Sequence, residues 1–258
     1  MDTDGKSKII FLGTGTSSGV PSLGCNCEVC RSADPRDRRM RCSSLLEISG
    51  KRILIDCGPD FYHQMLHRTF LGFDAVLLTH EHYDHVGGLD DLRPYSAISP
   101  QKIYCNAITA KHVRERLPYC FETVAKKGVP HLEINVVKPH ETFFVGDVPV
   151  TPLRVYHGAL EILGYRIGPL VYITDMKSMP DEEKAYLDGA KILVVNALRP
   201  SPHPTHQSVG EAVAFAKQAG IVPVYFIHMS HSVGFHAVAE SRLPEGYHFA
   251  YDGLEVEF

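Results

Sequence analysis

The chain has 258 residues, 44% of them hydrophobic and 22% charged, with a formal net charge of −4. That length buries a sizeable core, the composition excludes a disordered or fibrous chain, and the acidic balance excludes a global attraction to nucleic acid. No apolar run is long enough to span a bilayer, residues 1–6 lack a signal-peptide pattern, and the seven cysteines, an odd number, suit a reducing compartment better than a disulfide framework, so a cytoplasmic protein with no membrane partner is expected.

Residues 8–12 form a short apolar strand, followed by Gly13-Thr14-Gly15-Thr16-Ser17-Ser18-Gly19. The third glycine is misplaced for a dinucleotide-binding turn and no helix pattern follows. The segment reads as a glycine-rich strand exit lining an active-site mouth. Cys25, Cys27 and Cys30 then place three thiolates in one tight loop, a spacing that suits a tetrahedral ion whose fourth ligand comes from elsewhere. Arg36, Arg38, Arg39 and Arg41 crowd the next loop, either as a solvated basic face or as an anion site. Residues 43–49 and 52–57 read as a hairpin around Gly50-Lys51. Asp56 ends its second strand, either as a carboxylate that orients a metal-bound histidine or as an ordinary strand-end residue. A helix is expected over 61–70, with His63 and His67 in surface or core roles.

The densest chemistry follows the apolar run 73–78: Thr79-His80-Glu81-His82-Tyr83-Asp84-His85-Val86-Gly87-Gly88. His80 and His82, two apart at a strand end, point the same way. Asp84 and His85 swing toward a second position as the turn begins, so one block offers two ligands to each of two ions. Imidazole and carboxylate suit zinc, manganese or iron alike. Beyond it come a helix at 89–98, a strand at 102–105, a helix at 110–117 and an irregular stretch at 118–133, either a substrate lid or a plain connection. Strands follow at 134–137, 142–145 and 148–156, the last ending in His157 before Gly158, where a third ligand is wanted. A second hairpin pairs 164–167 with 170–174 and ends in Asp175, a carboxylate able to bridge two ions. A helix at 181–188 and a strand at 191–198 lead to the proline-rich loop carrying His206. Ser208 and Glu211 have capping-box spacing for a helix over 208–219, so His206 sits just before a helix N-terminus. The strand 222–227 ends in His228-Met229-Ser230-His231; a helix at 235–241 and a small hairpin over 248–258, turning at Asp252-Gly253, close the chain. There is no linker and no repeat. The order of elements suits a single α/β domain over 1–258: an αββα sandwich of two mixed β-sheets flanked by helices, with the cysteine loop at 25–30 embedded in it.

His-x-His-x-Asp-His after a buried strand resembles the signature of the metallo-β-lactamase superfamily, and His80, His82, Asp84, His85, His157, Asp175 and His228 match its dinuclear ligands in order and type. The resemblance implies one ion on His80, His82 and His157, a second on Asp84, His85 and His228, Asp175 bridging, and a hydroxide between them. Gly-Thr-Gly-Thr-Ser-x-Gly-Val-Pro, Cys-x-Cys-x-x-Cys and a late His-x-x-His are similar to the group that opens 5-phosphoribosyl 1,2-cyclic phosphate in bacterial phosphonate breakdown. That likeness, covering residues 8–253, implies a phosphodiesterase of small, cyclic phosphodiesters. It also implies a structural zinc on Cys25, Cys27, Cys30 and His231, with His206 catalytic and Asp84 a ligand that also orients the hydroxide. The superfamily suggests a homodimer. Other readings are a transfer-RNA 3′-end endoribonuclease, a thioesterase or lactonase of the same fold, and a metal-stabilised binding protein. The net charge and the lack of a basic RNA-clamping insertion speak against the first, and seven intact ligands against the last.

Overall fold

The computed structural model describes residues 7–121 and 128–258. One seven-stranded sheet contains β1 (Lys8–Gly13), β2 (Ser43–Ile48), β3 (Lys51–Ile55), β4 (Ala75–Leu77), β5 (Gln101–Cys105), β6 (Leu132–Val136) and β14 (Glu255–Glu257), in the order β14-β1-β2-β3-β4-β5-β6. The other contains β7 (Phe143–Val145), β8 (Val148–His157), β9 (Leu160–Ile167), β10 (Leu170–Ile173), β11 (Ile192–Asn196), β12 (Val224–Ile227) and β13 (Tyr247–Phe249), in the order β13-β12-β11-β10-β9-β8-β7. Each sheet is antiparallel over its hairpins and parallel where helical connections return the chain.

Both faces of each sheet are covered, which explains why the central strands read as unbroken apolar runs. Ile9, Phe11, Ile53, Ile55 and Leu77 face Tyr165, Ile167, Tyr172 and Val194 between the sheets. Their chain neighbours Ile10, Leu12, Leu54 and Val76 point outward onto Phe61, Leu89, Leu92 and Tyr95. Leu153, Val171, Leu193 and Val195 meet Ala212, Phe215 and Ala216 on the far side. The three apolar layers are the expected αββα sandwich.

The helices are α1 (Phe61–Met65), α2 (Tyr83–Val86), α3 (Arg93–Ser96), α4 (Ala107–Arg116), α5 (Val209–Ala219) and α6 (His236–Glu240). The capping box of α5 is present, with Ser208 accepting from Glu211 N and Glu211 accepting from Ser208 N. Three helical expectations are shortened or changed. The first helix stops at Met65, and residues 181–187 form a 3-10 run rather than an α-helix. The helix expected over 89–98 divides into a 3-10 turn and α3, because Pro94 has no N–H to continue the ladder. The terminal hairpin is a larger correction. Residues 247–249 join β12 in parallel, while 255–257 pair with β1 in the opposite sheet. The Asp252-Gly253 turn thus carries the chain across the sandwich, pinned by Thr14 N and Met40 N donating to the Asp252 carboxylate. Of the irregular stretch, 122–127 lies outside the described residues.

Candidate metal centre

One edge of the sandwich collects the exits of β3, β4, β8, β10 and β12, and each delivers a polar side chain: Asp56, His80, His157, Asp175 and His228. Asp56, Asp175 and His228 have left-handed backbones, with φ of 58°, 56° and 57°. Aspartate tolerates this region better than histidine. Conformations of this kind persist where the surroundings over-determine them, often at functional sites. Each turn swings its side chain across the sheet edge instead of leaving it along the strand.

The polar groups converge. His80 Nε2 lies 3.0 Å from His82 Nδ1, and the His82 and His157 ring centroids are 5.2 Å apart. His85 Nε2 lies 3.2 Å from Asp84 Oδ2 and 3.1 Å from Asp175 Oδ2. His228 Nε2 lies 3.1 Å from Asp175 Oδ1 and 3.6 Å from Asp84 Oδ2. Asp175 is therefore central: His85 and His228 stand at its two oxygens, and His80 and His157 offer ligand atoms within 4.8 Å of it. His206, expected as a catalytic residue beside the centre, donates from Nε2 to Asp175 Oδ1 at 2.8 Å and stacks on His228 at 5.1 Å. All eight predicted residues at this centre are brought together. His63 and His67 point to solvent elsewhere.

The tautomers follow from the partners. Asp56, fully buried, accepts from Thr79 N at 2.8 Å, from the Thr79 hydroxyl, and from His85 Nδ1 at 2.6 Å. With its proton given to Asp56, the Thr79 oxygen accepts from His80 Nδ1 at 3.0 Å. His157 Nδ1 donates to Thr205 O at 2.8 Å. His80, His85 and His157 are thus each left with an Nε2 lone pair facing the centre, as metal-bound histidines require. One carboxylate, Asp56, fixes two of the three.

The residues fit divalent cations. His85 Nε2 and both nitrogens of His228 are buried with no partner in hydrogen-bond geometry among the described residues, although carboxylate oxygens stand close by. Lone pairs crowded without an intervening proton are favourable only with a cation between them. Burial pushes the His80 imidazole well below its usual value, so it stays neutral. Burial would raise the Asp175 carboxyl, but positive charge on the His228 and His85 rings and the His206 hydrogen bond outweigh it and hold it well below the ordinary range, with protons on those rings where bound cations would otherwise supply the charge. Asp84 follows the same balance: burial opposes ionisation, and His85 and His228 prevail.

A second cluster lies three residues beyond His228. The Sγ atoms of Cys25, Cys27 and Cys30 each stand 3.3 Å from His231 Nδ1. A tetrahedral zinc with ordinary Zn–S and Zn–N lengths has ligand-to-ligand edges of roughly 3.5 Å, so this cluster, too, has the shape of an ion site. The four arginines of the neighbouring loop do not form one patch. Arg36 pairs with Asp34, while Arg39 is buried against Thr14 Oγ1, Ala250 O and His236 Nδ1.

The sequence reading missed the supporting groups. Thr174 Oγ1 donates to Asp175 Oδ2 at 2.9 Å, and Asn196 brackets Met176 through both N and O, fixing the turn at Asp175. A signal was present: threonine directly precedes the functional residue at the ends of both β4 and β10.

The facing mixed sheets, with the histidine–aspartate centre on their shared edge, define a domain of the metallo-β-lactamase fold. The β-lactamase superfamily domain matches residues 51–229, and the chain belongs to that superfamily. A solved diphosphatase of the PhnP family is 38% identical, with a TM-score of 0.91 over 98% of this chain and 97% of that one. An octanoyltransferase of Porphyromonas gingivalis is 45% identical over 251 residues, 96% of this chain but 51% of the relative. A ribonuclease Z of Bacillus cereus is 29% identical over 167 residues, 62% of this chain and 48% of the relative. The chain spans about half the length of the curated relatives it matches. Among the described residues no helix is long and apolar enough to cross a membrane.

Proposed function

We propose that the chain hydrolyses a small phosphodiester, a cyclic one such as a phosphoribosyl cyclic phosphate, at a dinuclear centre. The observation that carries this reading is the convergence of ion-ready nitrogens and carboxylates around Asp175, together with 38% identity to a diphosphatase along almost the whole chain. His80, His82 and His157 would hold one divalent cation, zinc or manganese or iron, and Asp84, His85 and His228 a second, with Asp175 shared. Bound there, the cations would make a water nucleophilic near neutral pH and offset charge on the phosphoryl oxygens. Cys25, Cys27, Cys30 and His231 would hold a structural zinc, apart from the chemistry.

The chain's own groups account for the rest. Asp84, ionised, accepts a hydrogen bond from the attacking water and aims its lone pair at phosphorus. His206 acts as the imidazolium: its Nε2 proton faces the Asp175 carboxylate, the one partner of that nitrogen among the described residues, and Nδ1 lies 3.0 Å from Thr205 Oγ1. As the phosphorus–oxygen ester bond breaks, the Nε2 proton passes to the leaving alkoxide, general-acid assistance of a kind worth ~10²–10⁴ in rate. Burial lowers the His206 pKa against the pull of Asp175, so its imidazolium is a stronger acid than that of an exposed histidine and is left a neutral ring once the proton has passed.

A second reading is a thioesterase, favoured by the 45% identity to half of an octanoyltransferase, because the same centre would attack an acyl carbonyl. The test is a panel of bis(p-nitrophenyl) phosphate, a cyclic nucleotide, a transfer-RNA precursor and an octanoyl thioester on the metal-loaded protein. Turnover of the phosphodiesters with little on the thioester is expected; turnover of the thioester alone would replace the first reading by the second.

A further inference from the structure

We propose that Arg41 grips the substrate's anionic group at the mouth of the centre and so selects a phosphoryl substrate over a neutral ester; the proposal rests on the phosphodiester reading above. Arg41 lies two residues before β2, whose first residues pair with the ends of β1 and β3, placing it on the edge that carries the centre. Only the thin Gly58 turn separates it from the Asp84 segment. A Cβ added at Gly58 would lie 2.0 Å from Asp84 O and 3.7 Å from Arg41 Cβ. On its other side is the glycine-rich loop. A Cβ at Gly19 would lie 3.7 Å from Arg41 Nη1, and Gly15 of the same loop bridges to both Arg41 and Met229, the residue after His228.

The guanidinium is half used. Nη1 meets Asp60 Oδ2 at 3.2 Å, an oxygen that also accepts from Arg41 N at 2.8 Å. Nε is buried and has no hydrogen-bond partner among the described residues, although the side chain as a whole remains 31% exposed. Nε and Nη2 form the side-on edge of the fork, the geometry that matches two oxygens of a phosphate. Asp60 thus holds the Nη1 corner of the group and leaves the rest of the partly exposed guanidinium for a ligand. The other loop arginines differ: Arg36 spends Nε and Nη2 on Asp34, and Arg39 is buried in a three-way structural bond. Arg38 is exposed, so of the three arginines held by the fold Arg41 is the one that retains a fork for an anion.

The test compares Arg41→Gln, Arg41→Lys and Asp60→Asn in the metal-loaded protein, with metal content and thermal unfolding measured alongside. Kinetics on bis(p-nitrophenyl) phosphate and on neutral p-nitrophenyl acetate are joined by inhibition with inorganic phosphate. Arg41→Gln is expected to raise the phosphodiester KM and the phosphate inhibition constant by roughly 10–100-fold, the loss of a charge-assisted hydrogen bond. In the same variant kcat and ester hydrolysis change little, and Arg41→Lys regains part of the loss. Asp60→Asn keeps the guanidinium and is expected to leave phosphate inhibition near the wild-type value. Unchanged phosphate inhibition in Arg41→Gln, or an equal loss in Asp60→Asn, overturns the proposal and makes Arg41 a structural tie to Asp60. A wild-type protein that turns over the ester but no phosphodiester defeats the phosphodiester reading instead, while the phosphate inhibition series still decides whether Arg41 binds the anion.

Discussion

Replacing Asp56 by asparagine isolates the group that sets the tautomers of the centre. The left-handed backbone there, with φ of 58°, is one that asparagine adopts about as readily as aspartate, so the change leaves the backbone in place and acts through the lost charge and the altered hydrogen bonding. Asp56 accepts three hydrogen bonds, from Thr79 N, Thr79 Oγ1 and His85 Nδ1. An asparagine that keeps its oxygen toward Thr79 N turns an NH2 toward His85 Nδ1, donor against donor. His85 escapes only by moving its proton to Nε2, which removes the lone pair aimed at the centre. Losing an orienting partner of this kind typically costs ~10–100-fold in metal affinity, or about 1.4–2.8 kcal/mol at 1.4 kcal/mol per tenfold. Because the same carboxylate fixes His80 through the Thr79 hydroxyl, both positions weaken, with the larger loss, ~100-fold, at the His85 position. Competition titration of the stripped protein with zinc against a chromophoric chelator reads this directly, and thermal unfolding of the metal-free protein serves as control. An asparagine variant that binds both ions within about twofold of wild type would refute the tautomer argument.

Alanine at His206 is expected to lower kcat by ~10²–10⁴ with the metal content unchanged; a loss below about tenfold would remove it from the chemistry. Alanine at Gly58 is expected to cost about 1–3 kcal/mol in unfolding free energy, since its Cβ would stand 2.0 Å from Asp84 O; a melting temperature equal to wild type would show that the turn yields. The Cys27 thiol is held down to about 6, chiefly by the hydrogen bond that Cys30 N donates to its sulfur. In metal-stripped protein it therefore remains a thiolate at neutral pH, so iodoacetamide should modify it rapidly at pH 7 and more slowly as pH falls below about 6. Zinc loading should block the reaction, and equal rates with and without zinc would argue against a closed four-ligand site.

The centre was legible because its ligands are local in sequence or sit where a strand pattern stops. His80, His82, Asp84 and His85 fall in one block, and His157, Asp175 and His228 each end an apolar run. Asp56 was readable only as one of two equal possibilities, since nothing in the chain says which residue lies beside a strand end. The left-handed turns at Asp56, Asp175 and His228 were invisible, because no glycine marks them. The terminal segment was misassigned for a related reason. Alternation over 247–257 identifies strand, but the choice between pairing with itself and joining β12 and β1 is made by contacts outside the segment, the one with β1 nearly the whole chain away. Pro94 was a readable break that the expectation of one helix over 89–98 passed over. The arginine loop shows the limit of composition: Arg36, Arg39 and Arg41 point to separate partners once the backbone turns, and Arg38 lies exposed.

The most direct test of the central claim is metal counting with anomalous scattering on crystals of the loaded protein. Three ions per chain are predicted: two flanking Asp175, within reach of His80, His82, His157 and of Asp84, His85, His228, and one among Cys25, Cys27, Cys30 and His231. A single ion confined to the cysteine cluster, with the Asp175 centre empty in protein saturated with zinc or manganese, would contradict the account.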